Sequence, residues 1–351
     1  MVFTRHPANP LLSPADVAPS RPDFEVIGVF NAGVARCGSD VILLLRVAER
    51  PRQTDADRVA FPYLQPDGQL TVHTTDRAGG RYDLSDERVV VDTHTGDTFL
   101  TSISHLRLAR SADGVHFTVD SQPWLLPQPP YESFGVEDAR ITPLDGRFYV
   151  NYSAVSPLGI ATALASTQAF EPPARHGVIF PPSNRDVTIF PARIDGCYVC
   201  YHRPMPSPFG SLNIWLARSS DLRRWGDHQL VLQTAPDGWE SGRVGGGAPP
   251  ILTPEGWLSI YHAADRQHRY CLGAFLTPPD APERVIRRSA RPVLWPQASY
   301  EAHGFFGNVV FTCGALLEGD VLRVYYGAAD ACVALAEAPL SDVLAHTVPV
   351  G

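Results

Sequence analysis

One local pattern occurs five times along this chain: an apolar run, a glycine-containing turn and a second apolar run. The copies are VFNAGVARCGSDVILLLRV, EDARITPLDGRFYVNYSAV, DVTIFPARIDGCYVCYHRP, GGAPPILTPEGWLSIYHAAD and NVVFTCGALLEGDVLRVYYGAAD, with Gly38, Gly146, Gly196, Gly256 and Gly319 in their turns. Short β-branched and aromatic runs joined by such turns are hairpins. A further strand-like run follows each hairpin: HLRLARSADGVHF, IATALASTQAF, NIWLARSSDLRRW, YCLGAFL and CVALAEAPLSDVL. A sheet unit recurring roughly every 50–60 residues predicts radial repetition. The expected fold is all-β, a five-bladed β-propeller; an irregular β-sandwich is the competing arrangement. Residues 1–351 are expected to form one propeller domain. A loop insert at about residues 49–97, rich in Asp, Arg and Gly, is expected to lie over one face.

Composition limits the partners. Hydrophobic residues make up 44% of the 351 and charged residues 19%, as in a globular protein. The net charge is −8 and no basic run occurs, which argues against a nucleic-acid partner. No apolar stretch is long enough to span a membrane. The start MVFTRHPANPLLSP lacks the apolar core of a signal peptide, so a cytoplasmic protein is expected. A homo-oligomer is left open. CYVC at 197–200 is a metal half-site without a second half, and it alternates like a strand, so its two cysteines face opposite sides. Reduced, buried cysteines and no metal are expected.

In a propeller blade the first strand lines the central channel, and in an antiparallel hairpin its start lies beside the end of the second strand. One face therefore collects Asn31, Glu137 and Asp138, Arg185 and Asp186, Gly246 and Gly247, and Asn308 from strand starts. From strand ends it collects Arg46, Tyr152 and Ser153, His202 and Arg203, His262 and Asp265, and Tyr326 and Asp330. The opposite ends are plain turns. Within GVEDAR, strict alternation sends Glu137 and Asp138 to opposite faces and places Asp138 and Arg140 on the same one. That arrangement excludes the carboxylate pair of a retaining glycosidase, which must stand about 5 Å apart. Arg46, Arg140, Arg185, His202, Arg203 and His262 gather locally in an acidic chain, and arginine forks suit a dianionic phosphate. No nucleotide-binding glycine loop is present, and GRVGGGAPP precedes a strand, where glycines let backbone approach a ligand. Phe30, Tyr131, Phe134, Tyr152, Tyr201, Tyr261, Phe305, Phe306 and Tyr326 offer flat walls for sugar rings. One channel-facing acid, an anion site and such walls suggest phosphorolysis of a glycoside, with phosphate replacing the water and second carboxylate of an inverting hydrolase.

Along nearly its whole length the sequence resembles glycoside hydrolase family 130, the β-mannoside phosphorylases and β-mannosidases. The matching stretches are NPLLSP, FNAGV, GVEDARIT, RDVTIFPARIDGCYVCYHRP, SSDLRRWG, GGGAPPILTPEGWLSIYHAAD, YEAHGFFGNVVF and YYGAAD. The resemblance implies a five-bladed propeller. It also implies that Asp138 is the general acid, with the proton passing through a sugar hydroxyl in some members. Asn31 and Asp330 match positions that hold the mannosyl unit; Asp186 and His262 are further substrate-side candidates by their place at the mouth. Arg46, Arg140, Arg185, His202 and Arg203 resemble the phosphate site. The HRP motif is closest to the branch acting on β-1,2-mannobiose and mannooligosaccharides. The implied reaction is inverting phosphorolysis of β-1,2-mannosides to α-mannose 1-phosphate and a shortened sugar, with inorganic phosphate as co-substrate and no cofactor. Three positions depart from the family pattern: Ala139 for proline, Ala263 for glycine and Arg185 for lysine, the last two bearing on the acceptor side. Hydrolytic members use a glutamate to activate water, so Glu240 and Glu301 keep an inverting exo-β-1,2-mannosidase as an alternative. A non-catalytic sugar-binding propeller is another.

Overall fold

The computed structural model describes residues 2–350, and the fold is all-β. Its strand pairings form five antiparallel units. The leading strands are Phe24–Cys37, Gly135–Leu144, Asn184–Ile189, Arg243–Gly246 and Val310–Glu318. They pair in turn with Asp40–Pro51, Arg147–Ser156, Tyr198–Pro204, Gly256–Ala264 and Val321–Ala328. A third strand extends every unit. In the fifth, the two-residue strand Thr4–Arg5 pairs with Cys332–Pro339, so the N-terminal segment completes the C-terminal unit. The hairpin glycines are needed for their conformation: Gly146 and Gly196 have φ of 74° and 75°, a region that disfavours a side chain.

The apolar residues of these strands fill the spaces between neighbouring units. Units one and two share a cluster containing Leu44, Leu106, Val136 and Tyr152. Leu164 and Phe180 of unit two meet Val187 and Cys200 of unit three. Tyr201 and Leu216 of unit three meet Tyr261 and Phe275 of unit four. Leu258 and Leu272 join units four and five through Val324 and Tyr326. Val29 and Leu43 of unit one meet Tyr325 and Leu335 of unit five. Each fully buried Val, Leu, Ile or Phe contributes about 1.5–3 kcal/mol, so these five shared clusters hold the units together.

The insert differs from the expected loops. It forms strands: Arg58–Leu64 pairs with Leu70–Asp76, and Val89–Asp92 lies between Tyr82–Asp83 and Thr98–Leu100. The alternating Val59 and Phe61 bury one face against Val90, giving the insert a small core that its polar composition concealed. The six cysteines are free thiols. Among the described residues no helix is long and apolar enough to cross a membrane.

Candidate active site

The first three leading strands break their pairing register at matching places, between Phe30 and Gly33, Glu137 and Arg140, and Arg185 and Thr188. At each break one residue adopts a left-handed backbone: Asn31 (φ 48°), Asp138 (φ 52°) and Asp186 (φ 57°). Asn and Asp are the residues that tolerate this conformation best after glycine. A bulge re-aims side chains and suspends alternation. The separation of Glu137 and Asp138 onto opposite faces is therefore overturned: both line one cavity of about 600 Å³. Exclusion of a retaining pair by alternation falls with it.

Eight of the ten predicted site residues line this cavity: Asn31, Arg46, Asp138, Arg185, Asp186, Arg203, His262 and Asp330. Asp138 is buried at one wall. Its Oδ1 accepts from Asn31 Nδ2 at 2.9 Å and Arg46 Nη1 at 3.2 Å, and its Oδ2 accepts from Arg185 Nη2 at 3.2 Å. Burial opposes its ionisation, but the charges of Arg46, Arg185 and Arg140 outweigh burial and hold the carboxyl below its usual range. Arg46 also meets Glu137 at 2.7 Å and lies over the Phe30 ring, 4.6 Å from its centre. Asp330 behaves oppositely. Burial, reinforced by the charges of Asp138 and Glu137 and only partly offset by Arg46 and Arg185, pushes its carboxyl up to about 7.

Asp186 is the centre of a second cluster. Its Oδ2 stands 2.7 Å from Arg203 Nη2 and 3.2 Å from His262 Nε2, and its Oδ1 is 3.3 Å from Arg140 Nη2. Burial works against its charge, yet Arg203, His262 and Arg140 hold it well below the normal range. Burial pulls His262 down to about 4 despite Asp186, so this imidazole is neutral near pH 7. Arg203 keeps two buried donors, Nε and Nη1, without a hydrogen-bond partner among the described residues. A buried guanidinium with two unspent N–H groups is poised for an anion.

Arg140 and His202 do not line the cavity. Arg140 is fully buried, and its guanidinium is spent on the carbonyl oxygens of Asp138 (2.7 Å), Gly246 (3.0 Å) and Gly247 (3.2 Å) and on Asp186. It ties three units together beneath the site. His202 precedes Arg203 in a regular strand and so points to the other side. There it stacks on Phe180, takes a hydrogen bond from Asn184 Nδ2 at 2.9 Å on its Nδ1, and meets His228 Nδ1 at 3.0 Å through Nε2.

The two glutamates considered as water-activating bases also lie outside the cavity lining. Each belongs to a motif built three times. Glu132 accepts from Tyr152 Oη at 2.8 Å and pairs with Arg175 at 2.8 Å. Glu301 does the same with Tyr326 and Arg5, both at 2.7 Å, and Glu240 with Tyr261 and Arg288. In every case a second-strand tyrosine and an outer arginine hold the glutamate that precedes a unit. An aromatic–Glu pair before the leading strand, Tyr131–Glu132, Trp239–Glu240 and Tyr300–Glu301, is the sequence signal of this staple.

Several lining residues escaped the sequence analysis. Arg243 donates to Tyr270 Oη at 2.9 Å and meets His268 Nδ1 at 3.1 Å, and all three face the cavity. From the insert comes Arg88, which is clamped by Asp86 at 2.9 Å and lies 5.8 Å from the ring centre of Phe306. Arg243 opens the fourth leading strand, whose start was expected at Gly246 and Gly247, three residues later, while Arg88, His268 and Tyr270 lie outside the hairpin ends shared by the repeats.

Comparison with known proteins shows the family. The sequence model of the family described as Glyco_hydro_130, beta-1,4-mannooligosaccharide phosphorylase, matches residues 87–348. The chain is 46% identical over 347 residues to a beta-1,2-mannobiose phosphorylase of Listeria innocua, covering 98% of both chains. It is 38% identical over 244 residues to a 1,2-beta-oligomannan phosphorylase of Thermoanaerobacter, covering 69% of this chain and 80% of that one. The solved structure of the Listeria innocua beta-1,2-mannobiose phosphorylase in complex with beta-1,2-mannobiose superposes with a TM-score of 0.93, at 45% identity and 99% coverage of both. By its motifs, the match to the family's own model and near full-length relatives, this chain belongs to glycoside hydrolase family 130.

Proposed function

We propose that this protein is an inverting phosphorylase that converts β-1,2-linked mannosides and phosphate to α-mannose 1-phosphate and a shortened sugar. The observation that carries it is Arg203, which lines the cavity that also holds Asp138 and keeps two buried N–H groups without a partner among the described residues. The relatives named above are phosphorylases of β-1,2-mannosides, which supports the same substrate. Arg203, Arg185 and Arg243 bind phosphate as nucleophile. Asn31 and Asp330 hold the mannosyl unit, with Asp186 and His262 positioning the arginines beneath it. Asp138 gives its proton to the glycosidic oxygen, directly or through a sugar hydroxyl, while a phosphate oxygen attacks C1 from the opposite face. The C1–oxygen bond to the acceptor breaks, a C1–phosphate bond forms, and one displacement turns β into α.

Protonation and phosphate are coupled in this scheme. In the empty site Asp138 is ionised by its arginines. A phosphate dianion beside Arg185 and Arg203 offsets part of that positive charge and so raises the affinity of Asp138 for a proton. Asp330, at about 7, keeps a proton near at hand.

The five strand units fit the blades of a five-bladed propeller, closed by clusters between each unit and the next, the fifth meeting the first. In this scheme the whole chain is one catalytic domain and the insert forms part of the cavity wall through Arg88, Val89 and Leu100. The test is product analysis on β-1,2-mannobiose with and without inorganic phosphate. Mannose 1-phosphate formed only with phosphate is the expected result. Free mannose released at an equal rate without phosphate would establish a hydrolase instead.

A further inference from the structure

A second cavity, of about 750 Å³, lies away from the one described, walled by Trp239, Trp295, Arg266, Arg269 and Arg291. Several hydrogen-bond donors on its wall are unspent. Trp124, Trp225 and Trp257 donate their indole N–H groups to carbonyl oxygens. Among the described residues, Trp239 and Trp295 have no acceptor for theirs, and the guanidinium groups of Arg269 and Arg291 have neither an ion pair nor a hydrogen bond. Two aspartates share the wall, Asp237 and Asp265. Asp265 is already committed, since its Oδ1 accepts the backbone N–H groups of Gln267 and Arg269, both at 2.9 Å. The cavity therefore offers flat, half-buried indole faces and unspent cationic donors, beside the carboxylate of Asp237, unpartnered among the described residues. Indole faces suit the C–H face of a pyranose, and guanidinium forks suit a phosphate.

We infer that this cavity is a second binding site, for a phosphorylated sugar. The site is joined to the central cavity by one short turn. Residues Asp265 to Arg269 close it through hydrogen bonds from His268 N to Asp265 O (3.0 Å) and Asp265 N to Arg269 O (3.3 Å). Arg266 and Arg269 face the second cavity, whereas His268, held left-handed at φ 61°, faces the central one and meets Arg243 there. A phosphate held by Arg266 and Arg269 would set this turn, and with it the His268–Arg243 contact. Product concentration would thereby reach the anion side of the central site.

Calorimetric titration with α-mannose 1-phosphate tests the site on three proteins: wild type, R203A and the double variant R269A/R291A. Arg269 and Arg291 are exposed and unpartnered, so their removal leaves the fold intact. Two equivalents are expected for wild type. R203A keeps the peripheral one, and R269A/R291A weakens that one by roughly 10–100-fold while retaining the central one. A single wild-type equivalent that R269A/R291A leaves untouched overturns the inference. A change of oligomeric mass in R269A/R291A by sedimentation also overturns it, because the cavity is then an interface between copies. A single wild-type equivalent kept by R203A and lost in R269A/R291A upholds the second site and counts against the phosphorylase function instead.

Discussion

Asp138→Asn separates the acid from everything else Asp138 does. The amide keeps the shape of the side chain, and its oxygen still accepts from Asn31 and Arg46, which stand 2.9 and 3.2 Å from Oδ1. It loses the proton and the negative charge facing Arg185 at 3.2 Å. Breaking a buried ion pair costs about 3–5 kcal/mol when no other charge remains. Here Glu137 stays at 2.7 Å from Arg46 and 3.6 Å from Arg185, so a loss of about 1–3 kcal/mol of stability is expected. General-acid catalysis contributes about 10²–10⁴ in rate, which equals about 3–5 kcal/mol of barrier. The turnover number on β-1,2-mannobiose should fall by that factor. A nitrophenyl β-mannoside leaves without protonation, so its phosphorolysis should fall less than about tenfold. The assay is mannose 1-phosphate release from both substrates at saturating phosphate, beside a thermal melt. Equal losses on the two substrates would mean that Asp138 positions the sugar and the proton comes from elsewhere. Near-native turnover on the disaccharide would remove Asp138 from the chemistry altogether.

Arg203→Ala should raise KM for phosphate by roughly 10–100-fold and KM for the mannoside by far less, because the lost N–H groups face the nucleophile; equal rises measured by initial rates would place Arg203 in sugar binding. Glu301→Gln should lower the melting temperature, since it breaks the buried contacts to Arg5 and Tyr326 at 2.7 Å, while the protein that remains folded keeps its turnover number. Abolished activity in a folded Glu301→Gln protein would restore the water-activating role. Asp330 should make the unbound protein less stable as pH rises from about 4 to about 7, because its folded carboxyl, at about 7, holds a proton that the unfolded chain has already lost. Asp330→Asn removes this dependence, so chemical denaturation at pH 8 should find the variant more stable than wild type, by at most about 4 kcal/mol; a parallel pH dependence in both proteins would show that Asp330 is ionised in the fold.

Much of the fold was legible because it rests on local patterns. Five apolar hairpins with glycine turns specify five antiparallel units wherever they are placed, since turn geometry and strand period are properties of short segments. The same period assigns residues to strand starts and ends, which is why eight of the ten predicted site residues share one cavity. The insert was harder to recognise, because its strands bury only a small core around Phe61 among many polar residues.

What the amino-acid sequence determined by itself was the repeat, the β class and the end of each unit that carries chemistry. Tertiary structure decided which of those side chains meet. Left-handed bulges at Asn31, Asp138 and Asp186 turn neighbouring residues into the same space, and each interrupts the pairing of a leading strand with its own hairpin partner, a break that strict alternation along the sequence does not register. Arg140 looked like an anion ligand until three backbone carbonyls claimed it, two of them from another unit. His202 looked equivalent to Arg203 until the register sent it against Phe180. Glu240 and Glu301 were available as bases only until tyrosines and arginines from other strands took both of their carboxylates. Each of these outcomes depends on groups far apart in sequence competing for one polar atom, and a buried polar atom is claimed by whichever partner the packed units bring within hydrogen-bond reach.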